Sequence, residues 1–158
     1  MADGVVHVVD DDPAVRDSLA FLLEEVGLDA RIYDKPSALL GKVGRLEPGC
    51  ILTDVRMPEM TGLELVRRLR GDGVSLPVVV MTGHADVPLA IEAMRLGVTD
   101  FIEKPFDDEL LVSSIESALR AGVARSQREK DREAILERMA SLSPREAEVL
   151  QGLVAGKP

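Results

Sequence analysis

The sequence predicts an α/β fold, an open, doubly wound (βα)5 unit built on one parallel five-stranded sheet. Five short runs rich in β-branched residues, Val5–Val9, Ala30–Tyr33, Cys50–Thr53, Val78–Met81 and Phe101–Ile102, are each followed by a stretch that reads as a helix. Such alternation implies parallel pairing through crossovers, with helices on both faces of the sheet. The runs Ile51-Leu52 and Val78-Val79-Val80-Met81 are apolar without interruption, as strands covered on both sides are. Polar residues stand at the C-terminal ends of the runs, the edge where open α/β sheets bind their ligands.

The elements follow in order. After the first run, Val15, Leu19, Leu22, Leu23 and Val26 fall on one helical face, which Pro13 opens and Gly27 closes. Asp12 stands at the N-cap position of that helix. Pro36–Leu46, Gly62–Arg70, Pro88–Leu96 and Asp108–Ala121 fill the later intervals, each with Pro, Gly or Asp at its start. Beyond Ala121 the chain becomes polar and charge-mixed. The like-charged pairs Arg128/Arg132, Glu129/Glu133 and Glu133/Glu137 disfavour an isolated helix slightly. Helix formers nonetheless dominate, and neither Pro nor Gly falls within Ala124–Ala140. A domain over residues 1–121 and a helical linker over 122–141 are expected, with a flexible tether as the alternative to the helix.

Composition narrows the function classes. Apolar residues make up 46% of the 158 and charged residues 30%, a soluble globular balance that excludes collagenous and disordered classes. The net charge of −9 argues against strong nucleic-acid binding by the chain as given. Residues 1–121 carry 12 basic and 22 acidic side chains, whereas 122–158 carry 7 and 6, which suggests two functional parts. The single cysteine, Cys50, lies in an apolar run and is expected to be a buried, inert thiol in a reducing cytoplasm. No apolar run approaches the ~20 residues of a membrane span, and Met1-Ala2-Asp3-Gly4 is not a signal-peptide start. His7, inside the first run and without a second His or Cys beside it, reads as a packed ring and not as a ligand.

The chemistry lies at the strand ends. The first strand delivers Asp10, Asp11 and Asp12, the third Asp54, the fourth Thr82, and the fifth is followed by Lys104-Pro105. On the expected fold these converge on one cleft. Packed carboxylates repel one another unless a cation is present, and oxygen ligands of this kind suit Mg²⁺.

The segments Val8–Asp12, Leu52–Gly62, Val80–His84 and Asp100–Phe106 resemble the four signature segments of bacterial response-regulator receiver domains, whose fold is the flavodoxin- and CheY-like one, over about residues 4–121. The Thr82-Gly83-His84 and Phe101–Phe106 wording is similar to the FixJ type. The resemblance implies that Asp54 is the phosphoacceptor for a sensor histidine kinase or a small donor such as acetyl phosphate. It implies Mg²⁺, with Mn²⁺ as a substitute, on Asp11, Asp54 and the main-chain carbonyl of Arg56, with Asp10 acting through water. Thr82 and Lys104 would hold the phosphoryl oxygens, Lys104-Pro105 would be cis, and Phe101 would follow Thr82 in a switch of the face built from the fourth helix, the fifth strand and the fifth helix. Ile91, Arg95 and Phe101 are candidates for a homodimer contact strengthened by phosphorylation. Arg56 and His84 occupy positions that influence dephosphorylation in this family.

The tail Leu142–Pro158 resembles the opening of a LuxR-type helix-turn-helix domain, with Ser143, Pro144 and Glu146 as a capped helix start. Specific DNA binding is therefore expected only of a complete output domain. The expected protein is a cytoplasmic response regulator, unanchored to membrane, and no enzyme beyond its own phosphorylation and dephosphorylation. An aspartyl phosphatase of the haloacid dehalogenase type shares the residue types, but Asp10-Asp11-Asp12-Pro13-Ala14 lacks the last residue of that family's motif. A receiver working through protein contacts alone is the other alternative.

Overall fold

The structure, a computed structural model, describes residues 4–83 and 86–140. The order is β1 (Val5–Val9), α1 (Pro13–Glu25), β2 (Asp29–Tyr33), α2 (Pro36–Leu40), a 3₁₀ turn (Val43–Arg45), β3 (Gly49–Asp54), α3 (Gly62–Gly71), β4 (Val78–Thr82), α4 (Val87–Arg95), β5 (Asp100–Glu103) and α5 (Asp108–Ala140). The strands form one sheet in the order β2-β1-β3-β4-β5, and every pairing is parallel. The chain passes from β1 outward to β2 and then crosses back to β3 on the other side of β1, so the adjacent strands β1 and β3 flank the switch point where such sheets bind ligands.

Alternation along the strands divides the core into two layers. Val9, Ile51, Val78 and Val80 pack with Leu39 of α2, Leu65 and Leu69 of α3, and Ala93 of α4. On the other face Val6, Val8, Leu52, Val79 and Met81 pack with Leu19 and Leu23 of α1 and Leu111, Ile115 and Leu119 of α5. Cys50 is fully buried in this second layer, and burial pushes its thiol up to about 12, so it stays protonated. His7 is the buried polar residue of β1. Its Nδ1 lies 3.1 Å from the Tyr33 hydroxyl and its Nε2 3.0 Å from the Glu47 carbonyl, which makes it a satisfied core ring. Burial is the main cause of its lowered pKa.

Caps set the helix starts. The Asp12 carboxylate accepts the Ala14 N–H at 2.9 Å ahead of Pro13, and the Thr61 hydroxyl accepts the Glu64 N–H at 3.2 Å at the head of α3. The single helix expected over Pro36–Leu46 is corrected: α2 stops at Leu40 and only the 3₁₀ turn at Val43–Arg45 follows. Gly41 and Gly44 supply the reason, since each costs a helix interior about 1 kcal/mol relative to Ala.

α5 continues past Ala121 to Ala140. Residues up to Val123 form one compact unit and those from Ala124 a second. In the second, Ile135 and Leu136 are 40% and 56% exposed, and Gln127 donates to Asp131 one turn on at 3.0 Å. The expected helix-turn-helix start over 142–158 lies outside the described residues. Among the described residues no helix is long and apolar enough to cross a membrane.

Gly122, inside α5, is a packing contact. A Cβ there would collide with the Gly49 carbonyl oxygen and approach Pro77 Cδ to 3.1 Å. Gly122→Ala is therefore expected to destabilise the protein by about 1–3 kcal/mol, against the gain of up to about 1 kcal/mol usual for this change in a helix. Urea unfolding measures it, and a variant as stable as wild type would refute the contact's importance.

Candidate functional site

The site is assembled from three strand ends. Asp10 directly follows β1 and is fully buried. Its Oδ1 accepts the Asp12 N–H at 2.9 Å, and its main-chain carbonyl accepts Arg16 Nη1 at 2.8 Å. Asp54 ends β3, with a side chain 15% exposed. Gly62 lets the head of α3 approach it, because a Cβ at Gly62 would lie 2.8 Å from the Asp54 carbonyl oxygen. Lys104 follows β5, its N–H donating to the Thr82 carbonyl at 2.7 Å, and Lys104–Pro105 is cis.

Lys104 Nζ stands 3.2 Å from both Asp10 Oδ2 and Asp54 Oδ2. Asp11, exposed, joins them: one oxygen of each of Asp10, Asp11 and Asp54 lies within 4.8 Å of the others. Three carboxylates beside one ammonium leave two negative charges uncompensated. Burial pushes the Asp54 carboxyl up, and Asp10 adds to this while Lys104 opposes it. Burial pulls Lys104 down, but the charges of Asp54 and Asp10 outweigh it and hold the ammonium above its ordinary value. An all-oxygen donor set with this surplus fits a hard divalent cation.

Thr82 is fully buried at the end of β4, with its hydroxyl donating to the Gly83 carbonyl at 3.1 Å. The Arg56 N–H approaches Asp54 Oδ1 at 3.4 Å. The Arg56 guanidinium instead binds Asp86. That pair holds Arg56 above its ordinary pKa and Asp86 below its own.

The chain from 6 to 116 matches the family model described as the response regulator receiver domain. The chain belongs to the response regulator receiver family. This receiver is 47% identical over 153 residues to the transcriptional regulatory protein FixJ of Bradyrhizobium diazoefficiens, covering 97% of this chain and 75% of that one. To FixJ of Rhizobium meliloti it is 43% identical over 158 residues, covering 100% and 78%. Among solved structures, full-length FixJ from B. japonicum superposes with a TM-score of 0.75 at 46% identity, covering 99% of this chain and 77% of that one. The response regulator StyR does so with 0.84 at 34%, covering 98% and 78%. The fold read from the sequence is thus the receiver fold, and the protein is a response-regulator receiver homologous to FixJ. Receiver domains bind Mg²⁺ at an acidic cluster, which in this chain is Asp10, Asp11 and Asp54.

The structure brings Asp10, Asp11, Asp54 and Lys104 together and sets Thr82 and Arg56 on the adjoining strand end and loop. Phe101 is half-buried on β5, packed against the core layer that contains Ala93. Ile91, 48% exposed, and Arg95, also exposed, lie one turn apart on α4. His84 lies outside the described residues. Two participants escaped the sequence reading, Arg16 behind Asp10 and Asp86 beside Arg56. The signal for Asp86 was an Asp two residues before Pro88, at a helix start. It looks like a cap, yet its side chain makes no capping bond.

Proposed function

We propose that this receiver takes a phosphoryl group onto Asp54, in a Mg²⁺-dependent transfer from a phosphohistidine of a sensor histidine kinase or from a small acyl phosphate. The observation that carries the reading is the position of Asp54, at the end of a central strand with Lys104 on one oxygen and two further carboxylates beside it. An Asp54 oxygen attacks phosphorus in line, the O–P bond forming as the donor's N–P or P–O bond breaks and the donor leaves with that electron pair. Such transfers need positioning and charge neutralisation more than covalent help. Lys104, already between Asp54 and Asp10, is placed to take a phosphoryl oxygen, and the Thr82 hydroxyl can turn from the Gly83 carbonyl to take another. Asp11, Asp54 and the Arg56 main-chain carbonyl would hold Mg²⁺ directly and Asp10 through water, with Mn²⁺ as a substitute. Bound there, the cation supplies neutralisation of the carboxylates and of the arriving phosphoryl oxygens.

In this reading Phe101 follows Thr82, and the face built by α4, β5 and α5 changes. The protein then acts in the cytoplasm as a transcriptional switch, with 1–121 as receiver, 122–141 as linker and 142–158 opening a LuxR-type DNA-binding domain. It catalyses nothing beyond its own phosphorylation and dephosphorylation. Intact mass after incubation with acetyl phosphate and Mg²⁺ tests the acceptor, one added phosphoryl group being expected; an unchanged mass contradicts it. Ile91, Arg95 and Phe101 form the proposed dimer contact. Ile91→Asp is expected to raise the dissociation constant of the beryllofluoride-treated dimer at least tenfold, a central apolar contact being worth about 1.4 kcal/mol or more. Sedimentation equilibrium measures this, and an unaltered dimer removes α4 from the contact.

A further inference from the structure

Asp86 precedes α4, yet its carboxylate accepts none of that helix's N–H groups. It takes the Arg56 guanidinium instead, with Nε at 3.0 Å and Nη2 at 2.8 Å on the same oxygen, Oδ1. The contact ties the loop after β3 to the start of α4, 30 residues on. Of the two partners, the Asp86 side chain is 20% exposed and that of Arg56 64%. An exposed pair of this kind adds little to stability, because water screens it and two side chains must be held still to form it. Its position gives it another use. Arg56 follows the acceptor by two residues, and its own N–H approaches Asp54 Oδ1 at 3.4 Å.

A guanidinium carries five N–H donors in a flat fork that suits phosphate oxygens. Two are spent on Asp86, and among the described residues the Arg56 guanidinium makes no other hydrogen bond. One edge is therefore anchored while donors on the other stay open to solvent. A side chain already held loses less freedom when it captures an anion.

We propose that Asp86 is a positioning residue for phosphoryl transfer: it anchors one edge of the Arg56 guanidinium so that the open edge receives the anionic phosphate of the donor at Asp54. The inference rests on the reading of Asp54 as acceptor. With an acyl phosphate, the bond between phosphorus and the acyl oxygen breaks, a carboxylate leaves with the electron pair, and the Asp54 oxygen bonds to phosphorus. Arg56 remains protonated throughout and acts by charge and hydrogen bonds. Asp86 by itself would repel an anionic donor, so anchoring and simple repulsion predict opposite results.

The test is phosphorylation by acetyl phosphate with Mg²⁺, followed by intact mass across donor concentrations, for wild type, Asp86→Ala, Arg56→Ala and the double variant. Each single change is expected to raise the half-saturating donor concentration roughly three- to tenfold, the scale of one lost hydrogen bond to a charged group. The loss falls on that concentration and not on the plateau rate. The double variant should be no worse than Arg56→Ala, and Asp86→Glu should recover part of what Asp86→Gln loses, a comparison that holds even if the alanine variant folds poorly. Additive losses, or a lower half-saturating concentration in Asp86→Ala, overturn the proposal. A wild type that takes up no phosphoryl group defeats the Asp54 reading, whereas normal uptake with an unshifted Asp86→Ala curve defeats only the positioning role.

Discussion

Asp54→Asn is expected to abolish uptake of the phosphoryl group and, without divalent cations, to raise the melting temperature at neutral pH. The first effect follows from chemistry, since an amide oxygen is too poor a nucleophile to replace the carboxylate. The second follows from burial, which is the largest influence on this carboxyl and pushes it above 3.8 in the folded chain. A carboxyl raised by folding contributes stability below its unfolded value and loses that contribution as the pH rises through its folded value. At neutral pH the ionised Asp54 therefore costs the fold stability, and an asparagine side chain, neutral at every pH, removes the cost. The difference between the proteins should shrink on acidification and vanish below about pH 3.8. Mg²⁺ should reverse the ranking. A cation that binds only the folded form stabilises it by mass action, about 2.7 kcal/mol at a hundredfold excess over its dissociation constant, and the amide that replaces the Asp54 carboxylate offers it no charge. Intact mass and thermal melts with and without Mg²⁺ measure both effects. A phosphoryl group retained on the variant would move the acceptor elsewhere, and a lower melting temperature in the metal-free variant would mean that Lys104 outweighs burial at Asp54.

The fold was legible where one physical signal dominates. Val78–Met81 could be read as a central strand because nothing polar interrupts it, and Asp12 before Pro13 as a cap because the bond it makes is local. Legibility failed at glycines, whose meaning depends on what comes near them. Gly41 and Gly44 break the helix that was expected over Pro36–Leu46. Gly122 does the reverse, staying helical because its missing Cβ makes room for the Gly49 carbonyl. The site divides in the same way. Asp10, Asp11, Asp54 and Lys104 meet because each ends its strand or lies within two residues of its end, so parallel pairing brings them together. Asp86 and Arg16 were hidden because their partners are chosen by side-chain reach across loops, which no residue pattern encodes.

Lys104→Met should be the most destabilising change in the cleft. Lys104 is the cation shared by a fully buried Asp10 and a largely buried Asp54, each at 3.2 Å. Met conserves the apolar stem and removes only the charge. Breaking a buried ion pair from one side leaves an uncompensated charge, a loss of about 3–5 kcal/mol at neutral pH. Here two carboxylates lose the same partner and are left to repel each other. In the wild type the raised pKa of Lys104 gives a contribution fully present below 10.5 and lost only as the pH rises through the higher folded value. The variant's deficit should instead ease on acidification, as protons replace the lost ammonium, and on addition of Mg²⁺, which restores positive charge beside the same oxygens. Combining it with Asp54→Asn should recover much of the loss, because the repulsion then has one member. Urea unfolding near pH 5 and near pH 8, with and without Mg²⁺, separates these contributions. A variant as stable as wild type, indifferent to pH and to Mg²⁺, would mean that solvent already screens the two carboxylates and that Lys104 matters only once a phosphoryl group has arrived.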